Sequence, residues 1–140
     1  MGSVESRIAT LSEMLAELLA AKVYRLGDII NEPPAAAAVE GVYLFSSPST
    51  PSSLVYAGRT KTKTILGRFK DHSRINTPSD LRGMLLRLPD MPQTSSEYGA
   101  RWLAVPDPIE RSQFELFVIA VLAPPFNRYN VHAMAPKPMA

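Results

Sequence analysis

The chain contains no cysteine, only two histidines, and no apolar run long enough to span a bilayer. The first absence excludes disulfides, thiolate metal ligands and a cysteine nucleophile, and it fits a reducing compartment. Two histidines cannot build a zinc site unaided. The longest apolar stretch, 14–21, is broken by Glu17 and is too short for a membrane span. Acidic residues are interspersed through the N-terminus, unlike a secretory leader. The protein therefore reads as cytoplasmic or otherwise intracellular, with no membrane partner. Glycine is scarce, 7 against 13 prolines, which implies fixed bends and short elements. At 140 residues there is room for a single core. A zinc finger, a convincing helix-turn-helix and a long basic tail are all missing, so selectivity for a nucleic acid would fall to loops at 46–53 or 75–96, or to the N-terminal helix.

The charge that is present is unevenly placed. Net charge is only +2, but Arg59, Lys61, Lys63, Arg68, Lys70 and Arg74 fall within sixteen positions that contain one acid, Asp71. A solvated surface accounts for such a run, and so does an anionic partner. On the second reading Lys61, Lys63, Lys70 and Arg74 are candidate substrate-binding cations.

Ser3 is positioned to cap a helix starting at Val4, and Ile8, Leu11, Leu15, Leu18 and Leu19 recur at three- and four-residue steps. This predicts an amphipathic helix of about five turns, whose stripe either packs on the domain or joins two copies as a homodimer. A second short helix is expected over 24–30. Runs 41–45 and 54–58, rich in β-branched and aromatic residues, read as an antiparallel hairpin across a Ser/Pro/Thr loop. Alternation sets Val42 and Leu44 against Tyr43 and Phe45, and Leu54 and Tyr56 against Val55, Ala57 and Arg59. Thr64 caps a helix over 65–73, with Leu66 and Phe69 inward and Arg68 and His72 projecting together from another side. Another helix follows at 81–88, and a third strand at 100–105.

Asp107, Pro108 and Glu110 mark a further helix start. From 114 to 123 that helix is apolar all round except at Glu115, which predicts a central buried element. The expected class is α+β: a three-stranded antiparallel sheet flanked by helices, with the site on one sheet face. An N-terminal helical extension and linker occupy 1–38, the main domain 39–131, and a weakly ordered tail 132–140.

Glu115 is the most informative single residue, because a carboxylate among apolar side chains needs a partner. Arg111, one turn earlier, would serve; so would a divalent cation or a basic active-site group. Tyr43 and Tyr56 pass alone as strand aromatics, and Arg68 with His72 as a solvated helix face. Gly41 and Gly58, however, are poor strand residues unless backbone or ligand comes close, and one stands beside each tyrosine.

Gly41-Val42-Tyr43, Tyr56-Ala57-Gly58, Arg68, His72, Glu115 and Asn127, in that order, resemble the motifs of the GIY-YIG nuclease superfamily. The spacing is similar to that of its excision-repair incision domain and of restriction-type members, with valine and alanine replacing the two isoleucines. Arg59 stands where repair-type members often have lysine, and Asn130 is a second position for the family asparagine.

The resemblance implies a GIY-YIG-like fold and a divalent-metal-dependent DNA endonuclease of repair or restriction. Tyr43 would be the general base, Arg68 the clamp on the scissile phosphate, and Glu115 the ligand of one Mg²⁺ or Mn²⁺. Tyr56 and His72 would orient, or exchange protons with, water and phosphate, with Arg59 and Asn127 in support. Because free tyrosine has a pKa near 10, cations such as the metal or Arg59 would have to favour the Tyr43 phenolate. The alternative is a catalytically inactive nucleic-acid-binding or interaction module of the same fold, and RNA stays open beside DNA. Sequence-specific cutting of both strands would favour a dimer, since one site cuts one strand at a time.

Overall fold

Residues 3–129 are described by a computed structural model. In chain order they form Val4–Ala20 (α1), Tyr24–Arg25 (β1), Leu26–Asn31 (α2), Gly41–Ser47 (β2), Thr50–Arg59 (β3), Ile65–Arg74 (α3), Leu81–Arg87 (α4), Gly99–Ala104 (β4) and Pro108–Leu122 (α5). Short 3₁₀ turns lie at Ala35–Ala37, Ser95–Glu97 and Pro125–Tyr129. Asn130 and the expected tail at 132–140 fall outside the described residues.

The class is α+β, as expected, but the antiparallel sheet has four strands in the order β1-β4-β2-β3 rather than three. The extra strand replaces the start of the helix expected over 24–30: Tyr24 pairs with Ala100 and Arg25 with Gly99, and the helix begins only at Leu26. Two residues are too few for a period of two to be visible. The hairpin also closes more tightly than its Ser/Pro/Thr composition suggests. Ser47 pairs with Thr50, leaving Pro48 and Ser49 as the turn, so Thr50–Ser53 extend β3 into solvent. Pro51 is tolerated there because β3 is a sheet edge.

β2, the inner strand, keeps the expected alternation: Tyr43 and Phe45 enter one cluster, Val42 and Leu44 the other. β3 does not, because the pairing slips between Phe45 and Ser46. A bulge of this kind inserts an unpaired residue and resets the faces. Val55 therefore joins Tyr56, while Leu54 joins Ala57.

One face is covered by α2, α3 and α4 through Leu26, Ile29, Ile65, Phe69, Leu81, Met84 and Leu85. On the other face lie Leu15 and Leu18 of α1 with Phe114 and Val118 of α5. Leu15 and Leu18 of the α1 stripe thus pack on the sheet, while Ile8 and Leu19 are exposed; the helix begins after the Ser3 cap, which accepts from Ser6 N–H. Asp107 caps α5 as its sequence predicts, accepting from Glu110 N–H at 2.8 Å. The expectation that α5 is buried all round fails: only Arg111, Phe114 and Val118 are buried, while Ile109, Leu116 and Val121 are more than half exposed. A helix without polar periodicity carries no mark of which side the sheet will cover. Among the described residues, no helix is long and apolar enough to cross a membrane.

Candidate active site

A cleft of about 660 Å³ opens where β3 forms the edge of the sheet. Tyr43 and Tyr56 line it from the face covered by α3, and Arg68 enters from α3 itself. Arg59 and Glu115 line it too, although Arg59 pairs across the strands with Val42 of the opposite face and α5 packs on that face. Side chains from both faces thus meet around the edge strand, in contrast to the single-face site expected. Lys61, Thr62 and Lys63, after β3, also line it, as do Asp71 of α3 and Ser79 of the loop after α3. Lys70, Arg74 and His72 do not line the cleft.

The two glycines have separate reasons. Gly58 faces Tyr43 across the strands, and a Cβ there would stand 2.5 Å from the Tyr43 hydroxyl, so glycine is what allows the ring to lie over β3. A Cβ on Gly41 would stand 2.1 Å from the Leu103 carbonyl oxygen, so that glycine serves the approach of β4.

Tyr43 is 1% exposed and is boxed by rings: Phe69 meets it edge-on at 5.2 Å and His72 at 5.5 Å. His72 is fully buried, facing inward with Phe69 rather than outward with Arg68, because α3 turns this side to Tyr43, Phe45 and Tyr56. Its tautomer follows from its neighbours. The Leu81 backbone N–H donates to Nδ1 at 2.7 Å, so Nδ1 is unprotonated, and the neutral ring carries its proton on Nε2. The 2.7 Å contact between Nε2 and Tyr43 Oη is therefore a donation from the imidazole to the phenol oxygen. Burial, with the nearby Arg68 charge, pushes the His72 pKa well below 6.5, in agreement with a neutral ring.

Burial pushes the Tyr43 phenol well above 10, reinforced by Tyr56 and opposed by Arg68. The free protein thus holds a neutral phenol, and the cation acting on it is Arg68 rather than Arg59. Arg68 itself is anchored on one side: Nη1 donates to Asp80 Oδ1 at 3.1 Å and lies 3.5 Å from Asp71 Oδ2, which also meets Lys63. Asp80 is 2% exposed and Asp71 5%. Neither acid stands out in the sequence, where Asp71 looks like a stray in a basic run and Asp80 like a helix cap. The available signal is Arg68, since a guanidinium half-buried among tyrosines calls for a counter-charge.

Glu115 does not pair with Arg111. Its Oε1 accepts from Nε of Arg59 at 3.0 Å, so the partner is a basic group of the cleft. Arg111 is 2% exposed and turns inward, donating to the carbonyls of Val105, Pro106, Thr60 and Lys61, with Glu40 at 3.4 Å. It fastens the loop after β3 to the start of α5. Burial raises the Glu115 pKa above its ordinary value, against the pull of Arg59 and Lys61.

Among the described residues no three His, Cys, Asp or Glu side chains group together as a ready metal cage. The donor chemistry nonetheless fits a small hard cation. Glu115 Oε2 stands outside the Arg59 bond, and Mg²⁺ characteristically takes one or two carboxylates, keeps waters and draws further oxygens from a phosphate substrate.

Asn127 braces the site from outside. Its Oδ1 accepts from Ala57 N–H at 2.8 Å and its Nδ2 donates to Ala57 C=O at 2.9 Å, so one amide pairs the open edge of β3 like a further strand residue. Neither protein-family models nor curated proteins give a match to this chain.

Proposed function

We propose that the protein is a divalent-metal-dependent endonuclease that hydrolyses DNA phosphodiester bonds in the cleft at β3. The observation that carries this reading is the convergence of two phenols, two arginines, two lysines and the carboxylates of Asp71 and Glu115, drawn from β2, the end of β3 with the loop after it, α3 and α5, around one opening. That set supplies what the reaction demands: cations for a diester anion, a carboxylate for a hard metal ion, and a proton acceptor beside the phosphate position.

Arg68 binds a non-bridging phosphate oxygen through the part of its guanidinium turned from Asp80 and Asp71, and Lys61 and Lys63 hold the flanking backbone. Glu115 would hold the Mg²⁺ or Mn²⁺ ion, which would supply positive charge against the negative charge that develops in the reaction. Water adds to phosphorus as the bond to the leaving oxygen breaks, and Tyr43 Oη takes the proton that the water loses. For this the phenol must first release its own proton to solvent, and the leaving oxygen departs as an alkoxide that takes up a solvent proton; the hydrogen bond from His72 and the Arg68 charge favour the phenolate, and burial opposes it. His72 lies behind Tyr43, so it acts on the phenol and not on the substrate. Tyr56 shapes the other side of the opening, while Arg59 and Asn127 support the carboxylate and the strand.

Plasmid DNA incubated with purified protein should be nicked or cut with Mg²⁺ or Mn²⁺ and left intact with a chelator. Glu115→Gln should abolish cutting while the fold and DNA binding persist. Unimpaired cutting by that variant would refute the assignment. A second reading, a nucleic-acid-binding module without catalysis, draws on the neutral Tyr43 and on the occupation of Glu115 by Arg59. It requires salt-dependent DNA or RNA binding with no cleavage under any divalent ion.

A further inference from the structure

The turn that enters α4 touches two of the cleft's groups at once. Asp80 is the residue before the helix, yet its carboxylate makes no capping bond. Its Oδ1 accepts from Arg68 Nη1, and its Oδ2 accepts from Thr77 Oγ1. The next residue, Leu81, gives its backbone N–H to His72 Nδ1, and the other nitrogen of that ring meets Tyr43 Oη. The turn packs closely on the helix it enters. A Cβ on Gly83 would fall 1.8 Å from the Thr77 carbonyl oxygen, so the segment 77–80 lies directly on the first turn of α4.

Two consequences follow from elementary chemistry. An arginine side chain is rich in rotamers, so an unrestrained guanidinium gives up part of its stabilisation when it must be ordered on the scissile phosphate in the transition state, whatever the ground-state affinity. Asp80, holding Nη1, pre-orders the group and leaves Nε and Nη2, the edge suited to bidentate phosphate contact, outside those bonds. Asp80 cannot itself be a substrate contact, because a carboxylate repels a phosphate. The Leu81 amide acts by direction instead. Since it can only donate, it fixes the proton of His72 on Nε2, and the phenol oxygen of Tyr43 becomes an acceptor whose own O–H points away from the ring.

We propose that Asp80 and the Leu81 amide form one positioning turn, Asp80 presenting Arg68 to the phosphate and Leu81 setting, through the His72 tautomer, the direction of the Tyr43 proton. The consequence for catalysis rests on the nuclease reading; the tautomer rests on the geometry alone.

The two parts are tested separately. In ¹⁵N-labelled protein, long-range proton–nitrogen correlation gives the ring pattern of each of the two histidines, and His132→Gln identifies which is His72. At pH 7, His72 should be neutral and protonated on Nε2; protonation on Nδ1, or on both nitrogens, overturns the proposal. Leu81 is the first residue of α4, where proline is tolerated, and Asp80 has φ −91° and ψ 152°, compatible with a residue preceding proline. Leu81→Pro therefore removes the amide donor, and Leu81→Ala removes the buried side chain but keeps it. The alanine variant should retain the tautomer and the proline variant lose it; the same pattern in both overturns the role of the amide.

For Asp80→Asn, kcat should fall about ten- to a hundredfold, while affinity for DNA without metal is unchanged or tighter because a negative charge has gone. Parallel loss of both would reduce Asp80 to a structural residue and overturn its part. Should Leu81→Pro fail to fold, the wild-type spectrum and the Asp80→Asn split still decide. A wild-type protein that binds DNA without cutting it under any divalent ion refutes the nuclease reading, and the spectrum alone then judges the turn.

Discussion

Arg59 Nε donates to Glu115 Oε1 at 3.0 Å, joining the edge strand to α5 across 56 residues of sequence. The pair is about one-quarter and one-fifth exposed, so each charge is partly desolvated and depends on the other. It also places a guanidinium on one oxygen of the proposed metal ligand. Arginine and a divalent cation would compete for that carboxylate.

The competition makes Arg59→Met a two-sided variant. Loss of the partner leaves Glu115 partly buried and uncompensated, at a cost of about 1–3 kcal/mol in urea denaturation. Loss of the repelling charge should tighten Mn²⁺ binding severalfold, read by titration calorimetry or by the electron paramagnetic resonance of free Mn²⁺. Mn²⁺ binding that is unchanged or weaker in the variant would remove Glu115 from the metal site.

Tyr43 predicts the pH dependence of cutting. Its phenol is held well above 10 by burial, so in the free protein near neutrality the phenolate is a minor species. Below the pKa the ionised fraction rises tenfold per pH unit, and a reaction that needs the phenolate should show kcat rising from pH 7 to 9 with a slope near one on logarithmic axes. Tyr43→Phe keeps the ring in its aromatic box and should cost about 10²–10⁴ in kcat, with the slope lost. A flat wild-type profile would assign the proton to another group.

What the sequence discloses about this molecule divides along physical lines. The faces of β2 are legible because a strand half-covered on each side alternates with a period of two, and the α5 cap is legible because Asp107, Pro108 and Glu110 are local chemistry. The slip in β3, the two-residue β1 and the exposed side of α5 are not, since each depends on a neighbour distant in sequence. The site divides in the same way. Motif order draws attention to Tyr43, Tyr56, Arg68 and Glu115, all of which line the cleft. The partners that govern those groups, Asp80 for Arg68, Leu81 through His72 for Tyr43, and Arg59 for Glu115, come from pairings that no periodicity encodes. Arg111 is the instructive error: helical spacing puts it in reach of Glu115, yet the carbonyls around it take all its attention.

Asn127 can be separated from chemistry by its stability signature. Both its amide atoms bond Ala57, whose residue is fully buried at the sheet edge, so Asn127→Ala leaves a backbone donor and acceptor without those partners. The expected cost is about 1–3 kcal/mol, together with faster hydrogen exchange at the Ala57 amide. Asn127→Asp keeps the acceptor for the Ala57 N–H and should preserve that amide's protection better than alanine does. Equal exchange in wild type and alanine variant would mean that the edge is held by something else.

His72 gives the acid limb of stability a definite sign. Its folded pKa is depressed well below the 6.5 of a free imidazole, by burial first and by Arg68 second. As pH falls through 6.5 the unfolded chain takes up a proton that the native ring refuses, so the unfolded state binds more protons and stability drops with falling pH. The contribution is intact above about pH 6.5 and is lost progressively on acidification toward the depressed folded value, with a limiting slope of about 1.4 kcal/mol per pH unit for one group. Glu115 works in the other direction, since its folded pKa is raised and the native state takes up its proton first. A difference measurement isolates the histidine. Urea denaturation of wild type and His72→Gln at pH 7.5, 6.5 and 5.5 should give a variant that is less stable at the highest pH, where its bonds to Leu81 and Tyr43 are altered, but whose stability changes less over the acid interval. Parallel curves would mean that His72 titrates alike in both states, which a ring sealed between Tyr43 and the Leu81 amide cannot do.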